Sequence, residues 1–127
     1  MAKFTLDSAK GDHERGDYNW SCFKCHQACE FVVKGLFYGL GLEALGHSIT
    51  RLLKKIKEVS IYIDEEMIDS AAILDKYYIP TRYVNAWSEG IPKEYYTNRE
   101  SRQAIEIADS LIKKIEEIWK SLKKEGE

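Results

Sequence analysis

The sequence has little that would interrupt a helix. Only 2 Pro and 8 Gly occur among 127 residues, which allows long periodic segments and excludes a collagen-like or linker-like chain. The 3 Cys are odd in number and sit close together at Cys22, Cys25 and Cys29, which is no disulfide framework. A basic excess is also lacking, since the formal net charge is −2 and the pI about 6.0. No global field therefore draws in nucleic acid, and any such role must rest on a local patch or on a partner. No apolar run approaches the roughly 20 residues of a membrane span. The opening residues Met1–Asp7 lack the apolar core of a signal peptide. The expectation is a cytoplasmic chain with no membrane partner. Internal repeats, low-complexity tracts and strand-like alternation are absent as well.

What is present suits a folded domain. Hydrophobic residues make up 44% and charged residues 31%, an ordinary globular balance for one domain over residues 1–127. A short first helix is expected from about Lys3 to Asp12, ended by the Arg15-Gly16-Asp17 turn, with Asp17 or Asn19 as the next cap. The second should run from about Tyr18 to Leu40, with Trp20, Phe23, Ala28, Phe31, Val32, Leu36 and Leu40 at three- and four-residue steps. The third starts near Gly46-His47-Ser48 and buries Ile49, Leu52, Leu53 and Ile56. The fourth starts with Asp64 as N-cap and Glu65 and Glu66 in its first turn. It carries Met67, Ile68, Ala71, Leu74 and Tyr78, and ends at Ile79 before Pro80. Thr97-Asn98-Arg99-Glu100 has the form of a capping box for the last helix. Five helices with short links predict an all-α, up-and-down bundle.

Two features raise chemical questions. Cys22, Cys25, His26 and Cys29 project within about a third of the helix circumference, and C-x-x-C beside His suggests a metal. Four ligands on one continuous helix cannot easily surround a tetrahedral ion, however, and Cys is a common small core residue. No metal site is assigned and no cofactor is implied. The stretch Ile79–Tyr96 fits no period and is long for a bundle connection. It is dense in aromatics around Arg82, which marks it as a functional candidate; the plainer reading is that its aromatics pin it to the bundle.

Three segments together carry a family resemblance. The run Phe23 to Leu36, with Gln27-Ala28, Glu30 and Lys34, resembles one helix of the HEPN family. Gly46-His47-Ser48 followed by Leu52-Leu53 resembles the start of the next. Leu74-Asp75-Lys76-Tyr77-Tyr78-Ile79-Pro80-Thr81-Arg82-Tyr83 resembles a third motif, and the order and spacing agree. The resemblance implies a helical bundle, a homodimer, and a prokaryotic protein often paired with a small nucleotidyltransferase. Some such proteins are ribonuclease toxins and others bind nucleotides or RNA without catalysis. The ribonucleases carry Arg, four to six residues, then His. Here no His follows an Arg at that spacing, and Val84 and Asn85 stand where the subfamily has Pro and Asp.

Arg82 is the residue singled out, because a guanidinium holds phosphate bidentately. Tyr77, Tyr78 and Tyr83 offer faces for stacking a base. The competing role for Arg82 is a staple to Asp75. His47 has the chemistry of an acid or base near neutral pH, or is simply a helix-start His bonded to the backbone. Gln27 and Lys34 share a polar stripe with Glu30. The expected function is nucleotide or RNA binding, or partnership with a nucleotidyltransferase in a toxin–antitoxin-type system. A metal-independent endoribonuclease built on Arg82 and His47 is the enzymatic alternative. A structural dimerisation bundle is the third. The basic groups Lys54, Lys55 and Lys57, and those along the last helix, read as solvated surface.

Overall fold

Asp64 and Thr97 start helices by the means their neighbours suggest. The Asp64 carboxylate accepts from the Met67 N–H at 2.8 Å. The Thr97 hydroxyl accepts from the Glu100 N–H at 3.1 Å, while the Glu100 carboxylate accepts from the Thr97 N–H at 3.2 Å. Each exchange satisfies an N–H that a helix terminus would otherwise leave unpaired. The computed structural model describes residues 1–78 and 95–126. Among these residues the elements are α1 Ala2–Glu14, α2 Tyr18–Gly39, α3 Ile49–Glu58, α4 Glu65–Asp75 and α5 Asn98–Gly126, with no strand. The all-α bundle is as expected.

Helix α2 is the central strut and packs against each of the other four. Its buried face reads Cys22, Cys25, Ala28, Cys29, Val33, Leu36 and Phe37. Small residues let it approach α5, whose facing positions are Ala104, Ala108, Leu111, Ile112 and Ile115. The Cys29 Sγ lies 3.7 Å from the Ala108 carbonyl oxygen. All three thiols are buried, and burial pushes them up, Cys22 to about 12. They stay protonated and serve as small apolar core groups.

Three expectations shift in detail. Trp20 is exposed rather than part of the buried stripe. Two residues from Cys22 is about 200° around a helix, so it faces away from the core. Asp17 occupies the N-cap position of α2 without a side-chain cap bond. Helix α4 stops at Asp75, before Ile79, because Lys76, Tyr77 and Tyr78 bond back three residues to Ile73, Leu74 and Asp75 in a tightened turn.

The end of α2 is sealed by an aromatic ring. A Cβ at Gly39 would sit 2.5 Å from the Trp119 ring. Gly39→Ala is therefore expected to lower stability by about 1–2 kcal/mol, although Ala is the better helix former. Urea unfolding would measure this. A gain in stability would show that Trp119 swings aside at no cost.

Candidate functional site

The site forms where α2, α3 and the end of α4 meet. Its anchor is Asp75, the last residue of α4. One carboxylate oxygen accepts from the Ile49 N–H at 2.9 Å and the His26 Nε2–H at 3.0 Å. The other accepts from the Thr50 N–H at 3.0 Å, the Thr50 hydroxyl at 2.7 Å and the Ser48 hydroxyl at 3.1 Å. Ser48 is the N-cap of α3 and its Oγ accepts from the Arg51 N–H. The first three N–H groups of α3 are thus all accounted for, two of them by a residue 25 and 26 positions away. The carboxylate also lies at the positive pole of α3. Burial alone would raise the Asp75 pKa. The hydrogen bonds from His26, Thr50 and Ile49 outweigh burial and hold it at about 2.

His26 is fully buried and carries this anchor towards a second carboxylate. Its Nδ1 lies 3.9 Å from Glu30 Oε1, one helical turn further along α2. Glu30 is itself buried and holds Lys34 at 3.1 Å. It also accepts from Nδ1 of His47 at 3.1 Å. The His47 side chain is about half exposed. Its ring stacks on Tyr78, with centroids 4.7 Å apart and planes 17° apart. Tyr78 in turn lies against His26, with centroids 5.2 Å apart. Phe23, His26, Gln27, Glu30, Phe31, His47 and Tyr78 line a small pocket of about 110 Å³.

The arrangement has a definite chemistry. A carboxylate on Nδ1 fixes the tautomer and orientation of the His47 ring and leaves Nε2 as the nitrogen that can meet a ligand. The stacked Tyr78 and His47 rings form an aromatic surface beside a cation, Lys34. Among the described residues no group of three His, Cys, Asp or Glu is placed to hold a metal ion.

The expected residues are not all gathered here. His47, Tyr78, Gln27 and Lys34 come together. His47 bonds the Glu30 side chain instead of the backbone. Tyr77 is placed elsewhere: its ring meets Tyr96 edge-on at 5.8 Å and packs against the core. Burial pushes its hydroxyl up to about 12. Arg82 and Tyr83 lie outside the described residues, as does the stretch 79–94 to which they belong. Sequence reasoning missed Asp75 and His26 as the framework of the site. The signal was there in α2, where His26 and Glu30 stand four apart beside a row of apolar core positions. Two titratable groups so placed need partners from another element.

The profile of the HEPN domain matches residues 1–119. The chain belongs to the HEPN domain family. Its fold is similar to that of TT1696 from Thermus thermophilus, at 39% identity and a TM-score of 0.88, covering 93% of this chain and 92% of that one. It is also similar to ST0689, an archaeal HEPN homologue, at 34% identity and a TM-score of 0.76, covering 92% and 91%. A HEPN domain protein from Thermotoga maritima is 32% identical, with a TM-score of 0.76 and coverage of 94% and 93%. A search of curated proteins finds no match. No helix among the described residues of this HEPN chain is long and apolar enough to cross a membrane.

Proposed function

We propose that this HEPN protein is a homodimeric module of a prokaryotic system of toxin–antitoxin type that binds a nucleotide or RNA, or else partners a small nucleotidyltransferase. The contacts are made by His47, Tyr78, Gln27 and Lys34, with Arg82 and Tyr83 supplied by the segment that follows Tyr78 in sequence. What supports the reading is the half-exposed His47 ring stacked on Tyr78 and oriented by Glu30. Such a surface suits a flat base, and the neighbouring cation suits a phosphate. A pocket of about 110 Å³ is well below the roughly 300 Å³ of a site that engulfs a whole small ligand. It takes one edge of a ligand whose remainder lies across the surface.

The test is titration of AMP and of a labelled 15-nucleotide single-stranded RNA into wild type, His47→Ala and Arg82→Ala. Loss of one stacking or phosphate contact is expected to weaken binding about 10-fold or more. Unchanged affinity in both variants would sink the reading. A monomer at micromolar concentration in light scattering would sink its homodimer part.

The Glu30–His47 pair also favours a second reading, a metal-independent endoribonuclease with His47 as base and Arg82 as phosphate ligand.

A further inference from the structure

The outer face of α3 carries Arg51 and, one helical turn further on, the adjacent Lys54 and Lys55, all exposed. The helix holds four cations (Arg51, Lys54, Lys55 and Lys57) against one acid, Glu58, a net of +3 within a chain of net −2. The other residues therefore sum to −5, and the positive charge here is local. Several lysines elsewhere pair with acids: Lys34 with Glu30, Lys113 with Asp109 and Lys114 with Glu66, as does Lys57 with Glu65. Among the described residues Arg51, Lys54 and Lys55 have no such partner. Helix stability does not explain Arg51. It lies in the first turn, where a cation adds to the positive pole of the helix instead of offsetting it. The row starts one turn from Ser48, the neighbour of His47.

We propose that Arg51, Lys54 and Lys55 form a track for the phosphate backbone of a single-stranded RNA whose base is held at His47 and Tyr78. This rests on the nucleic-acid reading of that site and extends it. The row leads away from His47 along α3, from Arg51 to Lys55, so a polynucleotide engages more of it than AMP does. It also supplies the local basic patch that a chain of net −2 requires.

The experiment compares wild type with Arg51→Ala/Lys54→Ala/Lys55→Ala. Affinities for a 15-nucleotide single-stranded RNA and for AMP are measured over a salt series, with polyglutamate as competitor. Each phosphate contact contributes about 0.7 to the slope of log affinity against log salt. The triple variant is expected to bind RNA 10- to 100-fold more weakly, with a slope smaller by about 2, and to lose less affinity for AMP. An unchanged RNA affinity and slope would overturn the track while leaving the His47 site standing. So would a wild type that binds AMP but gains nothing from the longer RNA. Failure of wild type to bind either overturns both. Polyglutamate displacing RNA charge for charge would assign the row to an acidic protein instead. If the triple variant also loses AMP, Lys54→Gln/Lys55→Gln, away from the first turn, repeats the comparison, and an unchanged RNA slope there overturns the proposal.

Discussion

Asp75→Ala is expected to destabilise the fold by about 2–5 kcal/mol. The substitution removes the acceptor for two backbone N–H groups at the start of α3, a capping loss of about 1–2 kcal/mol. It also leaves the fully buried His26 Nε2 without its partner, at a further cost of about 1–3 kcal/mol. The pH dependence has a definite sign. The folded pKa, about 2, lies below the ordinary 3.8. The stability this adds is complete above the unfolded value and is lost as pH falls through the folded one. Allowing for partial solvent exposure, it is worth about 1–2 kcal/mol. Wild type should lose it between about pH 4 and pH 2. Asp75→Asn should be less stable at neutral pH and should flatten that part of the curve. Urea midpoints across this range measure both. A neutral-pH midpoint for Asp75→Ala within error of wild type would mean that water replaces the carboxylate at no cost.

The enzymatic reading makes the second large prediction. In metal-independent cleavage the 2′-hydroxyl attacks the adjacent phosphorus, the new O2′–P bond forms, and the P–O5′ bond breaks. His47 Nε2 would take the 2′-hydroxyl proton, and water would protonate the leaving 5′ oxygen, the imidazolium then returning its proton to solvent. Glu30, on Nδ1 at 3.1 Å, would steady the imidazolium that forms. If wild type cleaves RNA without divalent metal, His47→Ala is expected to slow it by about 10²–10⁴. Glu30→Gln, which keeps the shape and removes the charge, should cost about 10²-fold in rate while RNA affinity changes little. The readout that separates chemistry from packing is the pH–rate profile, whose limb for the base should disappear in His47→Ala. Cleavage at wild-type rate in both variants would remove His47 from the chemistry. Absence of cleavage by wild type under these conditions leaves the binding module as the reading.

Much of the bundle was legible because its signals are local. The capping box Thr97–Glu100 and the cap at Asp64 need only three residues each. The buried stripe of α3 follows from period alone. The site was legible only in part. Histidine chemistry marked His47, and the polar stripe marked Gln27 and Lys34. What binds them together is long-range: Asp75 reaches His26 across 49 residues and Thr50 across 25. No periodic pattern encodes such a contact. His26 was read beside the cysteines as a metal candidate because sequence shows which residues share a helix face. It does not show which atoms a neighbouring helix presents to them. Tyr77 and Tyr78 look equivalent in sequence, yet the turn after Asp75 sends one to Tyr96 and the other to His47.

The burial of the three thiols has a consequence for how the molecule meets oxidants and alkylating reagents. Cys22, Cys25 and Cys29 line the seam between the central helix and its neighbours, fully enclosed and protonated. While folded, the chain behaves towards thiol reagents as if it contained no cysteine at all. Only a molecule whose helices have parted offers a thiolate, so each adduct records an opening of the bundle.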